Sequence, residues 1–189
     1  MSFNILEGVR QSLNYPPLQK VDPNTQEVPE SKKGAEVDKF GQAAIPAVLT
    51  GLYTYVQSDE GAKEFLEPNK TGNWIEKIFR SHKKEVVERI ASYANIPRRI
   101  AAMSMNVIAK ESIRMVKEKL HSATPMAVKH FFHGQINGIL PYLPAEVHTG
   151  EWLGYAALDD NTNKMKGPIS SLVQGIGAAF SNPVSGKQV

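Results

Sequence analysis

The chain of 189 residues contains no cysteine, which excludes disulfide bonds, thiolate metal ligands and a thiol nucleophile. Long apolar runs are also missing. The longest candidate, residues 43–56, has about 14 residues, whereas a membrane-spanning helix needs about 20 apolar residues. The first fifteen residues carry Glu7 and Arg10 within their apolar pattern and have no small-residue cleavage site, unlike a secretory signal. By elimination, we predict a cytoplasmic protein without a transmembrane segment.

Sequence patterns of strands and of common enzyme families are absent as well. No segment alternates apolar and polar residues with the period of two that a half-buried strand requires. The sequence contains no glycine-rich loop of the phosphate-binding kind and no paired-carboxylate signature. It also shows no order of Ser, His and Asp residues that would indicate a catalytic triad. We therefore predict no catalytic residue and no cofactor, and we expect a non-enzymatic protein.

The apolar residues that are present recur with helical spacing along most of the chain. This pattern predicts an all-α fold, a single-domain irregular bundle of about seven or eight helices. We place an N-terminal helix at 1–15, a polar linker or arm at 16–36, a helical domain at 37–180 and a tail at 181–189. The arm is placed by its prolines and its lack of any period.

The segment 95–120 is predicted to be the central, buried helix. Asn95 can cap it, and Pro97 sits where a missing N–H costs nothing. Its first half is apolar nearly all round, and its second half has one apolar side. A helix that is apolar all round is typically enclosed by other elements. We therefore expect residues 100–109 to be among the least accessible in the protein.

Three stretches in the middle of the chain resemble the YidB-like bacterial domains of unknown function. They are AIPAVLTGLYTYVQSDEGAKEFL (44–66), WIEKIF (74–79) and VVERIASYANIPRRIAAMSMNVIA (86–109), and the resemblance spans roughly residues 38–120. The pattern is a proline-containing helix, a serine-capped short helix and a proline-led apolar helix. The resemblance implies a small bacterial helical domain and carries over no activity and no catalytic residue.

Charge is distributed unevenly. Residues 74–120 hold eleven Lys and Arg against five Glu, a net charge of +6, while the rest of the chain has a net charge of −3. A basic region can attract nucleic acid, although the interrupting glutamates favour a solvated helix surface. The candidate nucleic-acid contacts in this region are Arg80, Lys83, Lys84, Arg98 and Arg99.

Two helices joined by a short turn at 86–108 also fit the outline of a helix–turn–helix. In that motif the start of the second helix reads base edges through hydrogen bonds. Here Arg98 and Arg99 are followed by Ile100, Ala101, Ala102 and Met103, which offer almost no such readout. A buried helix explains the pattern better, but exposure of this segment would restore the recognition-helix hypothesis.

His130 and His133 lie at i and i+3 on one side of a helix predicted to start at Thr124-Pro125. Two imidazoles so placed can bind a transition metal if further ligands come from elsewhere. Glu146, His148 and Glu151 follow the helix, but no spacing selects one of them. A polar exposed surface is the alternative interpretation.

The function that these patterns favour is a protein-interaction or self-association module. The C-terminal amphipathic segment 168–180 is the predicted interaction helix, with Leu172, Ile176 and Phe180 on one side. The partner is another protein or a second copy of this chain. Nucleic-acid binding through 80–99 is the first alternative, and a metal-dependent activity at His130 and His133 is the second.

Overall fold

The computed structural model describes residues 3–22, 28, 38–67 and 72–147. All regular secondary structure in these ranges is helical, which confirms the all-α class for this part of the chain. Seven α-helices follow one another along it: α1 (Ile5–Ser12), α2 (Lys39–Gln57), α3 (Asp59–Leu66), α4 (Trp74–Phe79), α5 (Lys83–Ala94), α6 (Arg98–Lys119) and α7 (Pro125–Ile139). Short 3-10 helices occupy Arg80–His82, Leu140–Tyr142 and Ala145–Val147.

Six of these α-helices have eight residues or more, and α4 has only six. Counted by helices of eight residues or more, the described part of the chain has six, so the predicted total of seven or eight helices is not confirmed. The predicted interaction helix 168–180, with Leu172, Ile176 and Phe180, and the tail 181–189 lie outside the described residues.

Two predicted helix starts are confirmed by their capping hydrogen bonds. Ser58 Oγ accepts from the N–H of Gly61 at 3.0 Å, and Thr124 Oγ1 accepts from the N–H of Ala127 at 3.2 Å. Each bond satisfies a backbone donor that the first turn leaves unpaired. Asn95 differs from the prediction. It ends α5 in the left-handed conformation, with φ of 53°, and the first turn of α6 has no side-chain cap.

The most enclosed helix is α2. Sixteen of its residues are buried, namely all those from Phe40 to Val56 except Thr54. It contacts each of the other six α-helices. No charged residue occurs between Phe40 and Gln57, so burying the helix on all sides removes no charge from water.

One buried polar side chain of α2 anchors two peripheral segments. Gln42 is fully buried, and its Nε2 donates to the carbonyl oxygens of Gln19 at 2.9 Å and Tyr142 at 2.7 Å. Its Oε1 accepts from the N–H of Gln19 at 2.8 Å. A backbone hydrogen bond joins the same two segments, from the N–H of Val21 to the carbonyl oxygen of Pro141 at 2.8 Å. The first residues of the predicted arm therefore lie against the bundle, and 23–27 and 29–36 lie outside the described residues.

The N-terminal helix packs on the same bundle through Ile5, Leu6 and Val9, all buried. Gln135 of α7 accepts from the N–H of Ile5 at 3.0 Å and donates to the carbonyl oxygen of Phe3 at 2.9 Å. These bonds fix the start of α1 against α7, so α1 belongs to the core cluster and not to a separate unit.

The prediction that 95–120 forms the central buried helix is corrected. One side of α6 packs on α1, α2, α4 and α5, but the opposite side of its first half is open. Ile100, Met103 and Val107 are about half exposed, at 49%, 56% and 52%. The physical reason is that an apolar pattern all round a helix arises from two situations, full enclosure or a buried side plus an uncovered apolar side.

No helix in the described part of the chain is both long and apolar enough to cross a membrane.

Candidate interaction face

Exposed large apolar side chains are few in the described residues, and three of the four lie on α6. They are Ile100, Met103 and Val107, and the fourth is Met126 at the start of α7. Single exposed apolar residues are ordinary on a protein surface, whereas a contiguous set marks an interaction site. The three on α6 therefore call for a separate explanation.

The spacing of Ile100, Met103 and Val107 is i, i+3 and i+7. Since each helical residue turns by about 100°, the three side chains fall within about 60° of one another and form one stripe. The opposite side of the helix carries Ala101, Met105, Ile108 and Ser112, all fully buried. The stripe is thus held in place by a helix that is fixed to the core along its whole inner side.

Two cations, Arg99 and Lys110, border the stripe on one side. Both are exposed and neither forms an ion pair with a described residue. No acidic residue occurs between Arg98 and Lys110. We call the stripe with these two cations the α6 face; it consists of Arg99, Ile100, Met103, Val107 and Lys110.

Four of the other six charges of α6 form ion pairs within the molecule. Arg98 pairs with Glu88 of α5. Arg114 pairs with both Glu111 and Glu118, and the pKa of the Glu111 carboxyl is lowered, chiefly by its hydrogen bond with Arg114. Lys117 donates to the carbonyl oxygen of Glu67 at 2.8 Å, and Lys119 lies over the Phe3 ring. Arg99 and Lys110 are the cations of α6 that have no hydrogen bond, ion pair or ring contact with a described residue.

A recess of about 510 Å³ lies at the N-terminal end of α6, where α5 turns into it. The turn depends on the positive φ of Asn95, and the N–H of Ile96 bonds back to the carbonyl oxygen of Ala91 at 3.0 Å. The recess is lined by Glu88, Ala91, Ser92, Asn95, Ile96, Pro97 and Arg98. Since Pro97 and Arg98 directly precede Arg99 and Ile100, this concave site adjoins the α6 face.

The predicted nucleic-acid contacts are not brought into one patch. Arg80 and Lys84 lie near the start of α5, while Arg98 and Arg99 follow its end. The two pairs are therefore separated by most of α5, a helix about 18 Å long. Lys83 donates to Glu76 at 3.2 Å. The nucleic-acid hypothesis stays a prediction, and these ion pairs and separations do not favour it.

Acidic side chains occupy the surface between these two groups of cations. Glu85 pairs with Arg89 and Glu88 with Arg98, and both glutamates line a shallow cleft that also contains Ser81 and Lys84. Phosphate groups placed along this surface would meet carboxylates between the cations.

His130 and His133 are both exposed and line one open cleft of about 470 Å³ together with Gln57, Met126 and Lys129. Lys129 donates to Asp59 at 2.6 Å. The described residues contain no group of three or more His, Cys, Asp or Glu side chains that could hold a metal ion. His148 and Glu151 lie outside the described residues, and the metal site stays a prediction.

A further group of titratable side chains forms a network that joins three helices, α2, α3 and α4. Tyr55 of α2 donates to Glu64 of α3 at 2.5 Å, and Lys77 of α4 donates to the same carboxylate at 2.9 Å. Burial, and then the hydrogen bond to Glu64, raise the pKa of the Tyr55 hydroxyl far above its ordinary value. Every group of this network has a structural partner, so the network reads as a link between helices.

The α6 face could not be predicted from the sequence because its three apolar residues were assigned to the core. The distribution of charged residues does indicate which of the two helices lies at the surface. The segment from Phe40 to Gln57 has none, whereas the span of α6 has eight, which marks α2 as the enclosed helix and α6 as a surface helix. The apolar residues left over on the charged side of α6 are then the candidates for a contact.

Comparison of this chain with protein-family models, with curated proteins and with solved structures found no match. The resemblance to YidB-like domains and the bacterial origin that it implies stay predictions.

Proposed function

We propose that this protein is a non-enzymatic interaction module that binds a segment of a partner protein on the α6 face. The observation that carries the proposal is the row of three half-exposed apolar side chains, Ile100, Met103 and Val107, on a helix fixed to the core. When a partner covers the exposed half of one of these side chains, that burial contributes roughly 1 kcal/mol to the free energy of binding. A contact of this kind needs no rearrangement of α6.

The exposed position of this segment also reopens the recognition-helix hypothesis, but its chemistry does not favour base readout. Base edges are read by hydrogen-bonding side chains, and among the exposed residues of the first two turns only Arg99 is free for this, because Arg98 pairs with Glu88. The other two, Ile100 and Met103, are apolar. Such residues gain free energy from an apolar partner surface, not from a groove lined by polar base edges. Protein binding is therefore the function that the face supports best.

The proposal is tested by placing a photoreactive benzophenone side chain at position 103 of the full chain in its native host. We expect a discrete protein adduct after irradiation, mapped by mass spectrometry to one segment of the partner. The matched control carries the same side chain at Asn137, an exposed position on α7. Adding the substitutions Ile100→Asp and Val107→Asp should abolish the adduct at position 103.

These substitutions should leave the fold intact because both side chains project from the surface, where a change alters stability by about 0.5 kcal/mol or less. Circular dichroism and thermal melting verify this. Equal background labelling at positions 103 and 137 would overturn the proposed function.

A further inference from the structure

We infer that the occupant of the α6 face is an acidic amphipathic helix of another protein, and not a second copy of this chain. This inference rests on the proposed function and names the chemistry of the partner. It is carried by two properties of the face, the spacing of its apolar side chains and the single sign of its charges.

The apolar spacing fits a helix. Ile100, Met103 and Val107 form a ridge about 10 Å long on a convex helical surface, and packed helices place such ridges into the grooves of their neighbours. An amphipathic helix with its own apolar residues at i, i+3 and i+7 presents the complementary ridge. The distance from Arg99 to Lys110 is three helical turns, about 16 Å, so the partner helix needs at least three turns.

The charges select an acidic partner. Arg99 and Lys110 are exposed, unpaired with any described residue, and on the same border of the apolar stripe. Carboxylates at the two ends of the partner helix, beside its apolar stripe, would meet one cation each. Complementary charges at the rim of an interface set its orientation and its association rate, and like charges exclude wrong partners.

Arg99 and Lys110 also disfavour a second copy of this chain as the occupant of the α6 face. A two-fold symmetric contact places the same surface on both sides. An antiparallel pair of α6 helices centred between Ser104 and Met105 places Arg99 of each copy opposite Lys110 of the other, and a parallel pair brings like residues side by side. Neither arrangement supplies a carboxylate, because the segment from Arg98 to Lys110 contains none and Glu111 and Glu118 are engaged by Arg114.

The test uses the full chain with the benzophenone side chain at position 103 in the native host. The charge-reversed variant Arg99→Glu/Lys110→Glu is compared with Arg80→Glu/Lys84→Glu, which makes the same change in net charge at two exposed cations away from the face. We expect the adduct to map to an acidic amphipathic segment of another protein. Its yield should fall at least tenfold in the first variant and stay within twofold in the second.

The remaining outcomes separate the inference from the proposed function. An adduct between two copies of this chain, a segment without acidic residues, or equal yields in the two charge-reversed variants would overturn the acidic partner and leave the interaction function standing. A nuclease-sensitive adduct would overturn both in favour of nucleic-acid binding. Labelling at position 103 no greater than at 137 would also overturn both. Circular dichroism of each variant shows that it folds.

Discussion

Gly61 and Gly138 both lie in helices, but the space around their α-carbons differs. A Cβ atom added at Gly61 would lie 2.0 Å from the carbonyl oxygen of Tyr55, a backbone atom that cannot move aside. The same atom added at Gly138 would meet nothing within 4 Å. Gly61 therefore allows the chain to turn tightly from α2 into α3, while Gly138 serves no packing role among the described residues.

We expect Gly61→Ala to lower the free energy of unfolding by about 2 kcal/mol or more, because the new methyl group must displace backbone. Gly138→Ala should raise it by about 0.5–1 kcal/mol, because alanine loses less conformational entropy in a helix. Urea denaturation followed by circular dichroism measures both variants. Equal effects of the two substitutions would contradict the tight turn at Gly61.

Among the helices, α2 holds the central position that was predicted for the segment 95–120. The core is built around α2, whose side chains from Ala43 to Leu52 are buried on every side. The longer α6 lies at the surface of the bundle, with Met105 and Ile108 facing inward and Met103 facing outward. The elements that pack on a helix, and not the apolar pattern of its first half, decide whether it has a free side.

This difference predicts opposite outcomes for two truncations. Leu49→Ala, in the enclosed part of α2, should lower the free energy of unfolding by about 2–5 kcal/mol because it leaves a cavity. Met103→Ala should change it by about 0.5 kcal/mol or less, since the side chain is more than half exposed. A large loss for Met103→Ala in the isolated protein would show that the α6 face is covered within the chain.

For the whole molecule, the Tyr55–Glu64–Lys77 network makes the free energy of unfolding depend on pH in the alkaline range. Tyr55 has an ordinary pKa of 10.0, and burial together with the bond to Glu64 raises its pKa in the folded state. Burial also raises the pKa values of Tyr15 and Tyr93. The folded state then holds these protons more tightly than the unfolded chain does. Their contribution is complete below pH 10 and is lost as pH rises through the folded pKa values.

We therefore expect the free energy of unfolding to fall as pH rises above about 10. Tyr55→Phe should lower stability at pH 7 by about 1 kcal/mol, because it removes the hydrogen bond to Glu64. The same variant should lose less stability than the parent protein above pH 10. Chemical denaturation at pH 7, 9, 10 and 11 measures both effects. Identical slopes for the two proteins would contradict the shifted pKa of Tyr55.

Local features could be predicted from the sequence because local chemistry fixes them. The caps at Ser58 and Thr124 follow from side chains that reach the N–H three residues later. Asn95 shows the limit of this reasoning. An asparagine before a proline-led helix suits an N-cap, yet it also tolerates positive φ, and here it ends α5.

Composition and local patterns are enough to establish that the described chain is helical, that no thiol chemistry is available, and where several helices start. It could not determine which helix is central or which apolar side chains stay uncovered, because burial depends on what packs from other parts of the chain. Gln42 looks like a surface residue in sequence and is fully buried, bonded to Gln19 and Tyr142. Met103 looks like a core residue and is exposed. Both assignments, and with them the α6 face, depend on how the helices pack against one another.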